Sequence, residues 1–410
     1  MNVWIFNHYA ESPDGSATRT FELCRALVRK GHETTVFASS FSHYRLREEH
    51  IDSLLRLSRT EVRDDVRFIW LRGYPYASND WRRIVNMMGY GVLALARALT
   101  TLPRPDVVIG CSVHPCAALA GLTLARLTAA PFVVEVPDLW PQVLIDFGRM
   151  TPGSVQARAL RMAETVLFTA AERVIMLWRN TQDYVSGRGL DVGKIVWIPH
   201  VIDPARYENL PEYVDHGPPF TALYLGSFVQ SMALDVILDA ARILAGNRRD
   251  DVRIVLIGHG SDRDRLVARA RSLGLRNVEI RDPIPKSRAP EAMAAADCLI
   301  CSFKNSPVYQ YGLSMSKLCD YLMSGRPIVT SGESTYDPVL EAHAGISVKG
   351  EDPEALAAAL ASMADLRFDT RCAMGRRGIA WAREHHDVNA LADRLENVLL
   401  ASLDGHGAPS

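Results

Sequence analysis

The residues best equipped for chemistry lie in one stretch, Tyr311-Gly-Leu-Ser-Met-Ser-Lys-Leu-Cys-Asp-Tyr-Leu-Met-Ser-Gly325. A helix is expected to begin near Lys317, with Ser314 and Ser316 as capping residues and Met315 between them. A helix start points unsatisfied N–H groups outward, and Lys317 or Lys304 adds positive charge, so the segment suits a pyrophosphate. Asp320 follows at i+3 from Lys317. Its carboxylate can accept two hydroxyl hydrogens, as a vicinal diol offers. The same residues also fit a plain Lys317–Asp320 surface pair with serine caps. The apolar surroundings and the following run Pro327-Ile-Val329 favour the ligand site.

Three glycine turns fit the same chemistry. Gly15 and Ser16 follow the first apolar run, where a glycine lets backbone approach a ligand. Gly226-Ser227 and Gly258-His-Gly260 follow two successive strands of the second half, so a ligand can lie across their ends. None has the GxGxxG spacing of a dinucleotide fingerprint. A histidine, His114, ends Ser112-Val-His114 after an apolar strand, where it can orient a polar ligand or serve as a buried structural group. Asp138 in Pro137-Asp-Leu-Trp-Pro141 can accept from a hydroxyl, and Trp140 offers an apolar platform. His8 and Glu135 are secondary candidates. Asp64-Asp65 and Asp250-Asp251 precede strands and read as solvated turns, so no acidic pair suggests a metal.

The elements that must position these groups alternate. Apolar runs at Val3–Phe6, Glu33–Ala38, Val66–Leu71, Val107–Gly110, Phe132–Glu135 and Val174–Leu177 predict strands. A helix over Ala17–Lys30 is stopped by Gly31. The pattern restarts with strands at Phe220–Leu225, Val252–Ile257, Val278–Ile280, Cys298–Cys301 and Pro327–Val329. Short apolar strands separated by amphipathic helices predict parallel sheets covered on both faces. The fold expected is therefore α/β, with two Rossmann-like domains facing a central crevice and ligands beyond the carboxyl ends of the strands. The domain limits are placed at 1–205 and 206–380. A terminal helix at 381–400 is expected to return to the first domain, and 401–410 to be disordered.

The 410 residues are 48% hydrophobic and 23% charged, with net charge -1. That balance is globular and gives no large basic face for nucleic acid. The seven cysteines are scattered, which suits a reducing compartment. Cys298 and Cys301 read as buried strand residues. The first residues lack a signal-peptide pattern. A cytoplasmic location is expected, with peripheral attachment to the inner face of the cytoplasmic membrane as an open alternative. Trp81–Leu99 is apolar but holds Asn86 and Arg97. Arg82 and Arg83 stand at its start, so it fits either a buried helix or an interfacial helix on an anionic membrane.

In this order the motifs resemble the retaining GT-B glycosyltransferases of the family 4 type. They run from Asn7-His-Tyr-Ala…Gly15, through Arg29-Lys-Gly-His-Glu-Thr-Thr-Val36, Pro137-Asp-Leu-Trp-Pro141 and Gly258-His-Gly260, to Ser316-Lys-Leu-Cys-Asp-Tyr-Leu-Met-Ser-Gly-Arg-Pro327. The resemblance is strongest to the bacterial surface-polysaccharide or amino-sugar branch. It implies transfer of an N-acetylhexosamine or amino-deoxysugar from a nucleoside-diphosphate donor, expected to be UDP-linked. The acceptor would be a glycan, small-molecule or polyprenyl-diphosphate-linked hydroxyl, with retention of configuration and no cofactor or metal.

The resemblance also implies roles. Gly15 and Ser16 approach the donor phosphates and acceptor, and His114 contacts the transferred sugar. The segment Ser314–Lys317 holds the diphosphate, Asp320 the ribose, and Arg281 and Ile284 flank the base. The departures are specific. The first of two family glutamates falls on Gly312 and the second on Asp320. The loop Gly226–Met232 carries no Arg or Lys, and His200-Val201 replaces an Asn-Gly. A UDP-N-acetylglucosamine 2-epimerase-like enzyme and a non-catalytic sugar-nucleotide-binding or scaffold subunit remain as alternatives.

Overall fold

The computed structural model describes all residues except Asp14, Ser16, Leu54, Asn79, His216 and 407–410. The chain divides into two compact units, Met1–Val201 with the segment from Val388 onward, and Ile202–Asp387. The divisions therefore fall at 201/202 and 387/388 rather than at 205/206 and 380/381. The last helix, Val388–His406, runs past the expected end at 400.

The first unit is built on an eight-stranded sheet. Its strands are β1 (Asn2–Phe6), β2 (Glu33–Ser39), β3 (Ser58–Arg63), β4 (Val66–Leu71), β5 (Val107–Cys111), β6 (Phe132–Val136), β7 (Arg173–Met176) and β8 (Ile195–Trp197). Their spatial order is β8-β7-β6-β5-β1-β2-β4-β3. Neighbours are parallel except β3, which pairs antiparallel with β4. Central strands such as β5 and β6 are buried along their whole length. That is why they read as unbroken apolar runs rather than alternating ones. Strand β3, Ser-Arg-Thr-Glu-Val-Arg, is mostly exposed and charged. It was not expected from sequence because edge strands carry charges that discourage further pairing. Asp64 and Asp65 have φ of 46° and 61° and form the two-residue turn of its hairpin, a conformation that favours Asp, Asn and Gly.

Helix α1 (Arg19–Arg29) begins two residues later than expected. It ends as the sequence suggests. Gly31 has φ of 87°, its N–H bonds the Val28 carbonyl at 2.9 Å, and the His32 N–H bonds that of Leu27 at 3.1 Å. These bonds satisfy carbonyls the helix leaves free. Helix α2 (Trp81–Leu99) is capped by Asp80, whose carboxylate accepts from the Arg82 N–H at 2.9 Å. Helix α3 (Pro115–Thr128) follows β5. The core gathers Val3, Ile5, Phe21, Leu27, Val36, Phe68 and Ile109, and is closed by Leu391, Leu395 and Leu399 from the last helix.

The second unit carries a six-stranded parallel sheet. Its strands are β9 (Phe220–Leu225), β10 (Val252–Ile257), β11 (Val278–Arg281), β12 (Cys298–Ser302), β13 (Ile328–Ser331) and β14 (Gly345–Val348), in the order β11-β10-β9-β12-β13-β14. Helix α4 (Leu234–Gly246) and helix α6 (Pro353–Asp365) contribute Ile237, Ala241, Leu356 and Leu360 to one core with Tyr224, Ile254 and Ile300. Helix α5 (Ser316–Met323) carries the segment singled out above. Cys298 and Cys301 are fully buried in β12, and burial pushes both thiols up, away from the reactive thiolate.

Each sheet reverses its winding once, between β1 and β5 in the first unit and between β9 and β12 in the second. A reversal leaves a crevice at the strand carboxyl ends, where ligands of open sheets bind. The connections there are 7–13 with 112–114, and 226–232 with 303–315.

Candidate functional site

In the second unit, the end of β9 is bolted to α5. The Leu225 N–H donates to the Tyr321 hydroxyl at 2.8 Å, and that hydroxyl donates back to the Leu225 carbonyl at 2.9 Å. Gly226 follows at once, with Lys317 Cδ 3.4 Å from where a Cβ would stand. The glycine turns after β9 and β10 lie against each other. The Gly226 N–H reaches the Ile257 carbonyl at 3.0 Å, and the Phe228 N–H that of His259 at 2.9 Å. A Cβ on Gly258 would lie 1.8 Å from the Gly226 oxygen, and one on Gly260 2.2 Å from that of Phe228. Close backbone approach is thus the reason for both glycines. Ser227 is exposed beside them, its carbonyl held by the Tyr224 hydroxyl at 2.7 Å.

Lys317 does not pair with Asp320. Its Nζ donates to the Tyr224 hydroxyl at 3.3 Å, contacts Met232 Sδ at 3.2 Å, and stands 4.4 Å from the Tyr224 ring centroid. These partners are neutral, and withdrawal from water lowers its pKa. Asp320 accepts from the Tyr207 hydroxyl at 2.5 Å through one oxygen, which orients the other. The surface-pair reading of the two residues therefore fails.

The capping expectation also fails. The N-cap is Met315, and no side chain bonds into the first turn. Ser316 is exposed at the first helical position, while the Ser314 hydroxyl is buried without a partner. A helix start left this way keeps its amides for something else. Gly312 has φ of 99°, a backbone conformation that a glutamate would occupy only under strain. The missing carboxylate thus coincides with a bend that needs glycine. Arg281 is held by both oxygens of Glu279, at 2.7 and 3.0 Å, and Glu279 also binds Arg253. Ile284 is half-buried in the loop beyond.

In the first unit, His114 is the N-cap residue of α3 and is 1% exposed. Its Nε2 lies 2.5 Å from Nδ1 of His8. The His8 ring stacks on Tyr90, 4.4 Å away and 3° from parallel. Tyr9 stands edge-on to His114 at 5.4 Å and accepts from Arg83 at 3.2 Å. His43 meets the Tyr76 hydroxyl at 2.5 Å. Burial, with Arg83 adding its charge, lowers His114 to about 3 and His43 to about 4. His8 is lowered for the same reason and by its histidine neighbours. All three rings are neutral at pH 7.

The sequence pointed to His8 and His114 but not to His43, Arg83 or Tyr90. The available signal was Asn86, a polar residue interrupting an apolar helix, which is buried here and donates to the Tyr74 carbonyl at 2.7 Å. Glu135 is taken up by an ion pair with Arg19. Burial raises the Asp138 carboxyl. Gly15 is buried against Glu11, whose Oε2 would lie 2.5 Å from an added Cβ. Ser16 lies outside the described residues.

The histidines set a pH dependence. A histidine whose folded pKa is depressed binds fewer protons folded than unfolded between the two pKa values. Its stabilisation is full above about pH 6.5 and is lost as pH falls toward the folded value. Urea unfolding at pH 7.5 and pH 5 should differ by about 2 kcal/mol for each of His114 and His43. The raised carboxyls of Asp138 and Asp337 work in the opposite direction. His114→Gln and His43→Gln should each flatten this difference relative to wild type, and a difference unchanged by both would show that these rings are solvated.

Two α/β units, each with a glycine-lined or histidine-lined crevice at its winding reversal, define the GT-B glycosyltransferase fold. Residues 14–200 match the model of the Glycosyl transferase 4-like domain, and residues 219–365 that of Glycosyl transferases group 1. Both parts of the chain thus match glycosyltransferase domain models, and the fold is that of the GT-B glycosyltransferases. Among individual proteins, the chain is 21% identical over 383 residues to the Escherichia coli (strain K12) protein named "Putative colanic acid biosynthesis glycosyl transferase WcaI", covering 88% of this chain and 91% of that protein. The sucrose-phosphate synthase of Thermosynechococcus elongatus superposes with a TM-score of 0.76 at 15% identity, covering 98% of this chain and 99% of that one. HepE of Anabaena, solved with UDP and glucose, gives 0.70 at 13% identity, covering 98% and 100%.

Proposed function

We propose that this protein transfers a sugar from a UDP-linked donor to a hydroxyl acceptor in surface-polysaccharide assembly, with retention of configuration and without a metal. The sugar favoured is an N-acetylhexosamine or amino-deoxysugar. The observation that carries the donor reading is the uncapped start of α5. Among the described residues it joins a buried, partnerless Ser314 hydroxyl, a lysine with no carboxylate beside it, and a carboxylate with one oxygen already oriented. The amides and Lys317 take the diphosphate, and Asp320 takes the ribose hydroxyls. Gly226, Ser227, Gly258 and Gly260 allow the phosphates close to backbone, with Arg281 and Ile284 on the base side. Departure of the nucleoside diphosphate is helped by this charge stabilisation. In the first unit, His114 serves the transferred sugar, Gly15 and Ser16 approach the donor phosphates and acceptor, and Asp138 serves the acceptor. The UDP in the HepE structure and the colanic acid biosynthesis glycosyl transferase name of the Escherichia coli relative support the reading.

The convergence of His8, His43 and His114 is the one feature that also fits an epimerase. A panel of nucleotide sugars separates the two. Thermal shift reports binding, release of nucleotide with an acceptor reports transfer, and an altered free nucleotide sugar reports epimerisation. UDP-sugars are expected to raise the melting temperature and to release UDP with an acceptor. Binding with no turnover under any acceptor would sink the transferase reading.

A polyprenyl-diphosphate-linked acceptor is part of this proposal. Helix α2 buries Asn86, Tyr90, Ala94 and Ala98 on one face, and leaves Trp81, Ile84, Val85, Met88 and Val92 exposed on the other. Arg82 and Arg83 stand at its start. An apolar stripe with flanking cations suits anionic lipid at an interface. No helix among the described residues is long and apolar enough to cross a membrane. Sedimentation with anionic liposomes at low salt tests the contact, and Met88→Glu with Val92→Glu should abolish it.

A further inference from the structure

We propose that Tyr207 is a positioning residue for the nucleotide, holding the Asp320 carboxylate so that the site takes a ribonucleoside diphosphate and rejects its 2′-deoxy counterpart. The inference rests on the donor reading above, in which Asp320 meets the ribose. The Tyr207 hydroxyl donates to Asp320 Oδ1 at 2.5 Å, at the short end of hydrogen bonds to an ionised acceptor. Asp320 is half-buried, and its Oδ2 is neither bonded by another described side chain nor sealed in the interior. An ionised carboxylate only accepts. With Oδ1 committed, Oδ2 presents its lone pairs in one direction.

Tyr207 can hold the carboxylate because it is itself held. It is 7% exposed. Burial, and then the Asp320 charge, raise its phenol well above the usual tyrosine range, so it stays a donor. It closes the short helical turn Pro204–Tyr207, which Asp203 caps by accepting from the Ala205 N–H at 3.1 Å. Arg206 Nη2 donates to the Lys286 carbonyl at 3.2 Å. Helix α5 is braced to the same segment from another side. Cys319 Sγ lies 3.4 Å from His386 Nδ1, and the His386 carbonyl takes the Ile202 N–H at 2.8 Å. Consecutive residues of one helical turn, Cys319 and Asp320, are thus tied to the stretch that begins at Ile202. All of these residues lie in the second unit. An aspartate that is ordered before its ligand arrives loses little rotamer entropy on binding.

A vicinal diol brings two donors to this preset acceptor. A 2′-deoxyribose brings one and leaves a fixed carboxylate lone pair unmet, which a site built for a hydroxyl penalises. Sugars linked to thymidine diphosphate lack the 2′ hydroxyl and fall on the rejected side. Uracil and thymine differ by a single methyl, so the diol is where the two donor classes part.

The test is calorimetry of the full chain with UDP and 2′-deoxy-UDP. Wild type should bind UDP at least about tenfold more tightly than the deoxy form. Tyr207→Phe keeps the buried ring and removes only the donor. It should raise the UDP dissociation constant about fivefold to tenfold, leave that of 2′-deoxy-UDP within about twofold, and so erase most of the preference. A merely structural loss would weaken both ligands alike. Asp320→Ala should erase the preference too, and it closes a double-mutant cycle. Because Tyr207 acts through Asp320, adding Tyr207→Phe to Asp320→Ala should weaken UDP no further. Alanine is well tolerated at a half-buried helical position, and melting temperatures of all variants check folding. Tyr207→Phe that keeps the wild-type preference, or that adds in full to Asp320→Ala, would overturn the proposal while leaving Asp320 at the ribose. Asp320→Ala with undiminished UDP affinity would instead overturn the ribose reading, and the role of Tyr207 with it.

Discussion

Gly258→Ala is expected to lower stability by about 3 kcal/mol or more and to remove UDP binding along with it. The added methyl would stand 1.8 Å from the Gly226 oxygen. Nothing nearby can yield cheaply, because the obstacle is backbone rather than the tip of a side chain. The Gly226 N–H is itself committed to the Ile257 carbonyl, and Leu225 is pinned on Tyr321. Relief must therefore separate the two glycine turns or pull β9 from α5. Either displaces the proposed phosphate cradle. Thermal unfolding should show the melting temperature down by roughly 6–12 °C. Gly274→Ala provides a contrast, since its surroundings are open and only its φ of 64° opposes a side chain, so its loss should be about 1 kcal/mol. Similar losses at both positions would mean that the close contact is not what the glycine serves.

The second large effect is expected at Lys317. Lys317→Met keeps length and apolar packing against Tyr224 and Met232 while removing the charge. A charge-assisted contact to phosphate is worth about 1.5–3 kcal/mol. The UDP dissociation constant should rise about 10- to 150-fold. Uridine, which lacks the diphosphate, should bind both forms alike in calorimetry. The lowered pKa adds a sign. A lysine with depressed pKa loses its charge earlier as pH rises, so diphosphate affinity should begin to fall at a lower pH than for an ordinary lysine. Lys317→Met that binds UDP like wild type would place the phosphates elsewhere.

The parts legible in the sequence were those governed by local chemistry. Val66–Leu71 and Val252–Ile257 read as buried strands because both faces are covered and every position is drawn from the same apolar set. Gly31 read as a helix stop because its backbone conformation is needed at that point. The edge strands Ser58–Arg63 and Ile195–Trp197 did not, since an edge is recognised by what it fails to bury. Ser314 and Ser316 are of the right type for caps, but the chain places its N-cap between them at Met315. Lys317 and Asp320 have the spacing of an ion pair, yet Tyr224 and Tyr207 draw them apart. The His8–His114 contact joins residues 106 apart, and only the order of the strands brings them together. No spacing along the chain encodes that order.

The chain enters the second unit after Val201 and leaves it at Asp387, and Ile202 and Asp387 are paired there, with the Ile202 N–H on the His386 carbonyl at 2.8 Å. The second unit is thus an insertion within the first rather than a tail behind it. During synthesis, residues 1–201 emerge first but lack the side chains of Leu391, Ala392, Leu395 and Leu399 that close their core. The second unit can complete its own sheet while the first still waits for its last helix. Every residue of the second unit therefore precedes, in the chain, the helix that closes the core of the first. A nonsense codon anywhere before residue 388 would leave the oldest part of the chain permanently open.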